Sequence, residues 1–287
     1  MKDHHSQFAV EKMCQVFEVS RSTYYDWLTR KPSKLACENE VLKAEINELH
    51  QLSNGRLGSP KLTMELRDRG FQVSRPRVAK LMKQLGIQSI ICKKFRVMTT
   101  DSNHAHTPSE NLLNRDFKAS EPGKKWVSDL TYVRTLQGWL YLTIIMDLFD
   151  RKIIGWAMSE TMEASCTVNA AFKMAVGNRP INPFELIFHS DRGIQYACNE
   201  FRSQLKTYKV NQSMSRKGNC WDNAVAESFF KIIKSEMIYH TNYVNQAQAK
   251  AEIFEFIEIW YNQKRKHSYL NYLTPDQFGQ TTKKKAA

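Results

Sequence analysis

The sequence holds three acidic residues in apolar or aromatic surroundings, in segments that lie far apart along the chain. Asp191 lies in Phe188-His-Ser-Asp-Arg-Gly-Ile-Gln-Tyr196, and 35 residues separate it from Glu227. Asp129 lies upstream, in Trp126-Val-Ser-Asp-Leu-Thr-Tyr132. Because apolar or aromatic side chains flank the acids, we expect them on packed helices and strands rather than in a solvated run of charge. A fold that brings them together must join three distant segments at one place.

Clustered carboxylates limit the chemistry of such a site. Three carboxylates at one place repel one another and raise one another's pKa unless a cation neutralises them. Mg²⁺ prefers hard oxygen ligands and completes its shell with water and substrate phosphate. Two such ions about 4 Å apart activate the attacking oxygen and stabilise the leaving oxygen in phosphodiester displacement. Asp129, Asp191 and Glu227 are therefore candidate metal ligands and catalytic residues.

The composition favours a polyanionic partner. Among 287 residues there are 42 Lys and Arg against 29 Asp and Glu, a formal net charge of +13. The segment 56–96 alone holds eleven basic residues and two acidic ones. No apolar run approaches the roughly 20 residues of a membrane span, and the polar start lacks a signal-peptide core. We therefore expect a cytoplasmic protein that binds nucleic acid and no membrane. The six cysteines form no Cys-x-x-Cys pair, so neither disulfides nor a zinc site are expected.

Residues 1–30 are predicted to form a helix-turn-helix-like segment. A first helix with apolar spacing is followed by Ser20, which can cap a second helix. In a helix-turn-helix, Arg21 and Tyr25 would point outward at DNA. An ordinary helical hairpin explains the same pattern, and both interpretations are open.

Residues 36–98 are predicted to form a basic helical DNA-binding segment. A charged helix over 36–52 precedes a glycine–proline break and helices over 61–70 and 74–85, the last one capped by Ser74. Basic residues line this last helix beside its apolar positions. Contact with the DNA backbone is favoured over a merely solvated face. The candidate residues are Arg75, Arg77 and Lys80.

Residues 99–120 are polar and aperiodic, which predicts a linker that leads to a catalytic core over 121–279. Residues 280–287 are expected to form a frayed basic tail.

The core begins with three strands in a meander and continues with helices that alternate with short strands. This order predicts an α/β fold, a mixed sheet flanked by helices. The predicted strands are 126–135, 139–148, 153–158, 186–188 and 210–214, and the predicted helices are 163–176, 199–208, one that begins near 223, and 245–264. The last helix is expected to set Phe254, Ile257, Trp260 and Tyr261 on one face. The three acids would meet at one edge of this sheet.

These residues resemble the D,D(35)E catalytic core that bacterial insertion-sequence transposases share with retroviral integrases, on the RNase H-like fold. The motifs are Trp126-Val-Ser-Asp-Leu-Thr-Tyr132, His189-Ser-Asp-Arg-Gly193 and Ser215-x-Lys-Gly-Asn-x-x-Asp-Asn-Ala-x-x-Glu-Ser-Phe229. The resemblance is closest to OrfB, the second-reading-frame subunit of two-frame insertion sequences. Gly55-Arg-Leu-Gly-Ser-Pro60 together with Val78-Ala-Lys-Leu-Met82 is similar to that family's second helix-turn-helix segment.

The resemblance implies a Mg²⁺-dependent DNA transposase. Asp129, Asp191 and Glu227 would hold two Mg²⁺ ions, for which Mn²⁺ can substitute. The enzyme would cleave the 3′ end of an insertion sequence and transfer it to target DNA. A homo-oligomer that brings two DNA ends together is also implied, as is an OrfA segment joined upstream by frameshift fusion. No sustained heptad run of the kind that OrfA supplies is visible in the sequence.

Four residues around the third motif are candidate DNA contacts. Lys231 and Lys234 follow the third acid on roughly its helix face, which favours phosphate contact over solvation, and the resemblance places a basic residue at Lys234. Trp221 either stacks on an unpaired base or pins its loop, and both interpretations are open. Lys217 lies in the same loop, 215–221, which has few apolar residues and is expected to be mobile without DNA.

Three further residues are given structural interpretations. His189 is expected to orient the loop around Asp191 through a hydrogen bond, in preference to transferring a proton. Asp147 and Asp150 are expected to form a turn that pairs with Arg151, in preference to binding a metal ion.

Two alternative functions fit parts of the pattern. An RNase H-like metal-dependent nuclease would hydrolyse DNA without joining it, and a strand-transfer assay with a precut end separates it from a transposase. A non-catalytic helix-turn-helix DNA-binding regulator predicts no effect of metal on the DNA, and it gives no reason for the spacing of the carboxylates.

Overall fold

The computed structural model describes residues 1–91 and 108–286, in two compact units, Met1–Gln88 and Ser89–Ala287. The start of the predicted linker, 99–107, and the basic residues Lys93, Lys94 and Arg96 lie outside the described residues. No helix in the two described ranges is both long and apolar enough to cross a membrane.

The first unit is built from short helices. It contains a 3-10 turn, Lys2–His4, and the helices α1 (Val10–Val16), α2 (Arg21–Thr29), α3 (Lys34–Leu52), α4 (Ser59–Asp68) and α5 (Arg75–Gln84). Serine hydroxyls before α2, α3 and α5 accept the backbone N–H three residues further on. The pairs are Ser20 with Thr23, Ser33 with Ala36, and Ser74 with Arg77. The caps predicted at Ser20 and Ser74 are therefore confirmed.

Apolar stripes of α3, α4 and α5 are buried against one another. The buried side chains are Leu42, Ile46 and Leu49 on α3, Leu62 and Leu66 on α4, and Val78, Leu81 and Met82 on α5. Packing of such stripes supplies most of the stability of short helices. The opposite faces stay in solvent, and Arg75 and Lys80 of α5 are exposed there.

The second unit contains a five-stranded mixed sheet. Its strands are β1 (Lys125–Thr135), β2 (Gly138–Asp147), β3 (Ile153–Ser159), β4 (Ile187–Ser190) and β5 (Asn211–Met214), in the spatial order β3-β2-β1-β4-β5. β1, β2 and β3 are antiparallel neighbours, whereas β4 runs parallel to β1 and β5 runs parallel to β4. Helices flank the sheet, so the predicted RNase H-like α/β architecture is confirmed.

The helices of this unit are α6 (Val168–Asn178), α7 (Ile194–Ala197), α8 (Asn199–Thr207), α9 (Ala224–Glu236), α10 (Gln246–Glu255) and α11 (Pro275–Ala286). A π-helical stretch, Phe256–Lys264, continues α10, and 3-10 turns occur at Cys220–Asn223, Ile238–His240 and Ser268–Leu270. The frayed tail predicted for 280–287 is wrong for residues 280–286, which continue α11. The ring of Phe278 packs against that of Phe149, with 5.4 Å between centroids, and this contact fixes the helix.

The start of α6 lies later than predicted, at Val168 instead of 163. Thr167 precedes the helix with a non-helical backbone, φ −110° and ψ −92°. Its hydroxyl donates to the carbonyl of Glu163 at 2.6 Å. A threonine that hydrogen-bonds back to the chain competes with helix formation, which explains the later start.

The single face predicted for the last long helix is only partly correct. Ile257, Trp260 and Tyr261 are buried, but Phe254 is half-exposed and meets the ring of Trp156, with 5.9 Å between centroids. A switch from α- to π-helical hydrogen bonding changes the number of residues per turn. Spacing counted with one helical period therefore fails across Phe256, where the π-helix begins.

A core of aromatic rings lies between the sheet and α6 and α8. Phe172 of α6 meets Trp126 of β1 at 6.1 Å, Phe188 of β4 at 5.7 Å and Phe201 of α8 at 5.9 Å between centroids. Tyr196 of α7 meets Phe201 at 5.9 Å. Such edge-to-face pairs contribute about 0.5–1.5 kcal/mol each beyond burial. They clamp β1 to β4, the two strands that lead to the predicted aspartates.

Asp147 and Asp150 end β2 in a turn, but their partner is not Arg151. The Arg179 guanidinium donates to Asp147 Oδ2 and to Asp150 Oδ2, each at 2.7 Å. Arg151 instead lies over the ring of Tyr269, 4.1 Å from its centroid. The expected pairing with Arg151 is therefore wrong, because packing of α6 brings a distant arginine to the end of the strand. Both carboxylates are buried, and the charge and hydrogen bonds of Arg179 stabilise them there.

Candidate active site

The pairing of β1 with β4 places the two aspartates. These parallel strands are in register up to Val127 and His189. Asp129 and Asp191 each lie two residues further in the direction of their strand. Parallel neighbours advance together, so this register brings Asp129 and Asp191 near each other where β4 ends.

Glu227 approaches this pair from α9. It lies in the first turn of that helix, where the positive end of the helix dipole favours an acid. Just before the helix, the Asn223 side chain donates to the carbonyl of Ser128 at 3.0 Å. This hydrogen bond ties the start of α9 to the residue that precedes Asp129. Glu227 is thereby within electrostatic range of both aspartates.

Neighbouring acids raise the pKa of Asp129 and of Glu227. Burial raises the pKa of Asp129 well above its usual range, and the charges of Asp191 and Glu227 raise it further. Burial, and then the charge of Asp191, raise the pKa of Glu227. Lys234 of α9 acts in the opposite sense on Asp129, and burial lowers the pKa of Lys234 itself. Carboxylates that cluster with too little positive charge behave in this way.

The three acids do not close on a single point. Across residues 1–91 and 108–286, no three acidic, histidine or cysteine side chains converge closely enough to hold a metal ion. The donor set still fits a hard divalent cation, because carboxylate oxygens are the ligands that Mg²⁺ prefers. A cation there would also relieve the repulsion that raises the pKa values of Asp129 and Glu227.

Backbone groups hold one oxygen of each aspartate. Asp129 Oδ1 accepts the N–H of Leu130 at 2.9 Å, and Asp191 Oδ1 accepts the N–H of Gly193 at 2.9 Å. A Cβ atom at Gly193 would lie 3.1 Å from Asp191 Oδ1 and 3.1 Å from Gln195 Oε1. The turn after β4 therefore needs glycine to approach its own aspartate this closely.

His189 is buried at the end of β4 in a network of hydroxyl groups. Its Nδ1 hydrogen-bonds with Ser213 Oγ at 2.8 Å and its Nε2 with Ser215 Oγ at 3.2 Å. The backbone N–H groups of Leu112 and Leu113 donate to the same Ser213 hydroxyl. Burial lowers the pKa of His189 to about 4, so the ring is neutral at neutral pH. These contacts favour the predicted orienting role over proton transfer.

Asp222 anchors the loop that precedes α9. Its buried carboxylate accepts hydrogen bonds from Arg216 at 2.7 and 2.8 Å, from Arg115 at 2.8 Å and from Asn111 at 3.0 Å. The Arg216 side chain and backbone, together with Arg115, hold the pKa of Asp222 well below its usual range. Asp222 was not predicted from the sequence. The available signal was the Asp222–Asn223 dipeptide inside the third motif, whose two polar residues precede an apolar helix.

The predicted DNA contacts near the site differ in exposure. Lys217 and Lys231 are exposed, and Trp221 is 69 % exposed. Lys234 is half-buried, and its Nζ lies 5.7 Å from the centroid of the Tyr132 ring. Because Trp221 is exposed and Asp222 beside it anchors the loop, stacking on an unpaired base is the favoured interpretation of Trp221.

The predicted contacts on α5 divide in the same way. Arg75 and Lys80 are exposed. Arg77 donates to Asn39 at 3.0 Å and to Glu38 at 3.2 Å, both on α3. Arg77 therefore links two helices of its own unit, and Arg75 and Lys80 are the better candidates for phosphate contact.

The predicted contacts on α2 lie at the surface of the first unit. Arg21 forms an exposed ion pair with Glu11 at 3.5 Å. Tyr25 is half-exposed, and its ring meets that of buried Tyr24 edge to face, with 5.4 Å between centroids. An exposed ion pair of this kind contributes little to stability, so Arg21 loses little if it turns to another partner.

Three family models match the chain. Residues 119–220 and 208–275 match two models of the integrase core domain, and residues 36–95 match an HTH-like domain. The fold and the matched residues thus define a protein with an integrase core preceded by an HTH-like domain.

Relatives of this chain are similar over almost its whole length. The Insertion element IS600 uncharacterized 31 kDa protein of Shigella sonnei is 43% identical over 266 residues, which cover 93% of this chain and 97% of that protein. Transposase InsF for insertion sequence IS3A of Escherichia coli (strain K12) is 38% identical over 285 residues, which cover 97% of this chain and 96% of that protein. The chain belongs to the family of insertion-sequence transposases that includes the InsF proteins of IS3.

Two solved structures superpose on parts of the chain. The simian T-cell lymphotropic virus intasome in complex with PP2A regulatory subunit B56 gamma aligns with a TM-score of 0.48 and 12% identity, over 82% of this chain and 74% of that chain. The HTLV-2 integrase catalytic core domain in complex with magnesium, in its trimeric form, aligns with a TM-score of 0.43 and 17% identity, over 56% of this chain and 99% of that chain.

The Asp222→Asn substitution is expected to loosen the loop 215–221. It keeps the shape of the side chain but removes the charge that Arg115 and Arg216 neutralise. A hydrogen bond to a charged group contributes about 1.5–3 kcal/mol, so amide hydrogen exchange across the loop should accelerate about tenfold or more. Mass spectrometry of exchange measures this directly. Asp116→Asn is the matched control, since Asp116 pairs with Lys125 at the surface. An unchanged rate of amide hydrogen exchange in Asp222→Asn would contradict the inference that Asp222 anchors this loop.

Burial of neutral His189 predicts a loss of stability in mild acid. Its pKa in the folded chain, about 4, lies below the ordinary value of 6.5. Between these values the unfolded chain binds a proton that the folded chain does not bind. The free energy of unfolding should therefore fall as the pH falls from about 6.5 to about 4, by up to about 3 kcal/mol.

Urea unfolding of the unsubstituted chain and of His189→Gln at several pH values tests this dependence. The substitution should flatten the pH dependence, whatever its effect on stability at neutral pH. His240→Gln, at an exposed histidine, should keep the original dependence. An identical pH slope in His189→Gln would rule out His189 as its source.

Proposed function

We propose that this chain is a DNA transposase that cleaves the 3′ ends of its insertion sequence and transfers them to target DNA, with two Mg²⁺ ions held by Asp129, Asp191 and Glu227. The observation that supports the proposal is the register of β1 and β4, which brings together the segments that carry Asp129 and Asp191. The raised pKa of Glu227, partly due to Asp191, puts the third acid within electrostatic range.

In this proposal the residues of the chain hold and orient the reacting groups. Bound Mg²⁺ would supply charge to stabilise the attacking and leaving oxygens of the phosphodiester. Asp129 and Asp191 are fixed by strands and backbone hydrogen bonds, so they form the rigid half of the site. Glu227 is on a separate helix, and movement of α9 toward the aspartates is the simplest way to close the site. Lys234 would contact a phosphate beside Asp129.

In this proposal the site would catalyse two successive phosphodiester displacement reactions. In the first, water attacks the phosphodiester at the element's end and a 3′-hydroxyl leaves. In the second, that 3′-hydroxyl attacks a phosphodiester of target DNA, which releases another 3′-hydroxyl. No covalent intermediate with the protein is required. Nearby tyrosines such as Tyr196, whose pKa burial and the two aspartates raise, therefore need not act as nucleophiles.

DNA would be bound by both units. Arg75 and Lys80 on α5 would contact the backbone, and Arg21 and Tyr25 are candidates on α2. Lys217, Trp221, Lys231 and Lys234 would bind the strand near the carboxylates. We further propose a homo-oligomer that holds two DNA ends together. Fusion to an upstream OrfA segment stays a prediction from the sequence.

The decisive experiment offers the chain two labelled DNA ends of its own element in Mg²⁺, one uncut and one precut at the 3′ terminus. A transposase joins the precut end to other DNA. A nuclease hydrolyses the uncut end but joins nothing, and a DNA-binding regulator changes neither. A parallel reaction with the chain fused to its upstream reading frame tests the need for OrfA.

Asp129→Asn, Asp191→Asn and Glu227→Gln are each expected to abolish cleavage and joining. Each swap keeps the shape of the side chain but removes the charge that would hold a divalent ion. Loss of a ligand should exceed the roughly 100-fold effect seen when an outer-shell partner of a metal site is removed. Gel shifts should show unchanged DNA affinity, since that affinity is assigned to basic residues.

Glu255→Gln is the matched control for these variants, because Glu255 is exposed on α10. It should cleave and join like the unsubstituted chain. Near-normal turnover in any one of the three carboxylate variants would remove that residue from the proposed site.

DNA binding should depend steeply on salt, with part of the slope carried by α5. Each phosphate contact on duplex DNA contributes about 0.9 to the slope of log affinity against log salt. Replacing both Arg75 and Lys80 by Ala should flatten that slope by about two units on every sequence. Adding Arg77→Ala should flatten the slope by less than the value of about 0.9 for a residue that contacts a phosphate. The reason is that Arg77 is already hydrogen-bonded to α3.

Fluorescence anisotropy over a series of salt concentrations measures the slope. The control is the double variant Lys173→Ala and Lys206→Ala, at two exposed lysines of the integrase core. An unchanged slope for the α5 variant would assign these residues to solvent or to a protein partner.

A further inference from the structure

An aromatic pair lies at the surface on the hairpin formed by β1 and β2. The rings of Tyr132 and Trp139 meet edge to face, with 5.0 Å between centroids and 84° between planes. Tyr132 is 47 % exposed and Trp139 is 48 % exposed. In the register of the hairpin, Arg134 lies opposite Trp139. Tyr132 is the diagonal neighbour of Trp139 on that face, which places their side chains in contact.

The same hairpin buries its other face. Val133 and Leu140 pair across the two strands and are almost completely buried. Strand alternation thus directs one face into the core and the other to the surface. An exposed strand face is usually polar, so a pair of large aromatic rings there marks a place where something binds.

A third ring borders the pair. Tyr239, on the turn after α9, is half-exposed. Burial, and then the neighbouring Tyr132, raise its pKa. We call Tyr132, Trp139 and Tyr239 the aromatic platform.

Lys234 joins the platform to the carboxylates. Its Nζ lies 5.7 Å from the centroid of the Tyr132 ring. The charge of Asp129 acts on the same ammonium group. One cation is therefore within reach of both the ring and the acid, which are three residues apart on β1.

We propose that the aromatic platform stacks an unpaired nucleobase next to the phosphate that lies at the carboxylates. This inference rests on the proposed function, because that function places a phosphate beside Asp129. Lys234 would bind the phosphate that links this nucleotide to the reacting one. Aromatic side chains stack on any base, so the contact would hold the strand without selecting its sequence.

The geometry and charge of the surface favour this occupant. The two perpendicular rings form a corner in which a flat base can stack on one ring and touch the edge of the other. Arg134, Lys231 and Lys234 border the platform or lie on the adjoining helix, and they complement a polyanion. An apolar protein surface would gain from the rings but would have to desolvate these cations.

The test uses a DNA duplex with a single-stranded 3′ overhang that carries the fluorescent base 2-aminopurine, in EDTA so that no turnover occurs. Stacking on an aromatic ring quenches this base. Binding to the unsubstituted chain should quench it, and Tyr132→Phe should retain the quenching. Tyr132→Ala and Trp139→Ala should lose it and bind the overhang about 5- to 150-fold more weakly, which corresponds to loss of one stacked base. Affinity for the same duplex with blunt ends should stay unchanged.

Two further variants keep the test decisive. Trp139→Leu preserves apolar bulk if alanine disturbs the hairpin, and it should also lose the quenching because leucine has no aromatic face. Phe184→Ala is the matched control, since Phe184 is 69 % exposed and has a lysine, Lys209, 5.2 Å from its ring centroid. It should bind and quench like the unsubstituted chain.

Equal quenching in the unsubstituted chain and in Trp139→Leu would overturn the proposal. So would loss of self-association in the platform variants with overhang binding intact, because that result assigns the rings to a protein interface. The chain could also quench 2-aminopurine in a way that depends on the platform and yet neither cleave nor join DNA. That result would support the stacking site and contradict the proposed transposase activity.

Discussion

The candidate site depends on one constraint, the parallel pairing of β1 with β4. Only three residues of β1 pair with β4 before the strands part, yet this short register decides that Asp129 and Asp191 are neighbours. A slip by one residue would turn one aspartate to the other face of the sheet. Trp126 and Phe188, which are themselves register partners, are packed against Phe172 and resist such a slip. The apolar core thus maintains the geometry of a charged site.

Polar contacts also hold two further parts of this unit, the segment that leads into the core and the helix α9, which carries Glu227. Residues from 108 onward run beside β5, the edge strand, and Met214 of β5 donates its N–H to the carbonyl of Glu110. This segment covers an edge that would otherwise present unpaired backbone groups. It also supplies Asn111 and Arg115 to Asp222, which anchors the loop before α9. The entry to the core and the helix that carries Glu227 are therefore held by one carboxylate.

The sequence predicted the secondary structure correctly where the local residue pattern and the tertiary packing favour the same structure. Alternation in 126–135 predicted β1, and the capping serines predicted α2 and α5. Prediction failed where a side chain finds its partner in a residue that is distant in the sequence. Arg179 replaced Arg151 as the partner of Asp147 because α6 packs beside β2, and two of the partners of Asp222, Asn111 and Arg115, come from the distant chain segment along β5. The sequence did not predict the π-helix after Glu255, because a prediction from residue spacing assumes a constant number of residues per helical turn.

The electrostatics of the site oppose the packing that creates it. Bringing Asp129, Asp191 and Glu227 together in a partly buried place raises the pKa of Asp129 and Glu227, which destabilises the folded chain while they are ionised. Lys234 offsets only part of this repulsion, and its own charge is weakened by burial. On the proposed function, a divalent cation would neutralise the acids and a DNA phosphate would pair with Lys234. If Lys234 binds that phosphate, the Tyr132 ring beside it is the nearest aromatic surface for the attached base. In this proposal, the repulsion at the carboxylates and the exposure of the platform are two features of one surface that DNA and metal would complete.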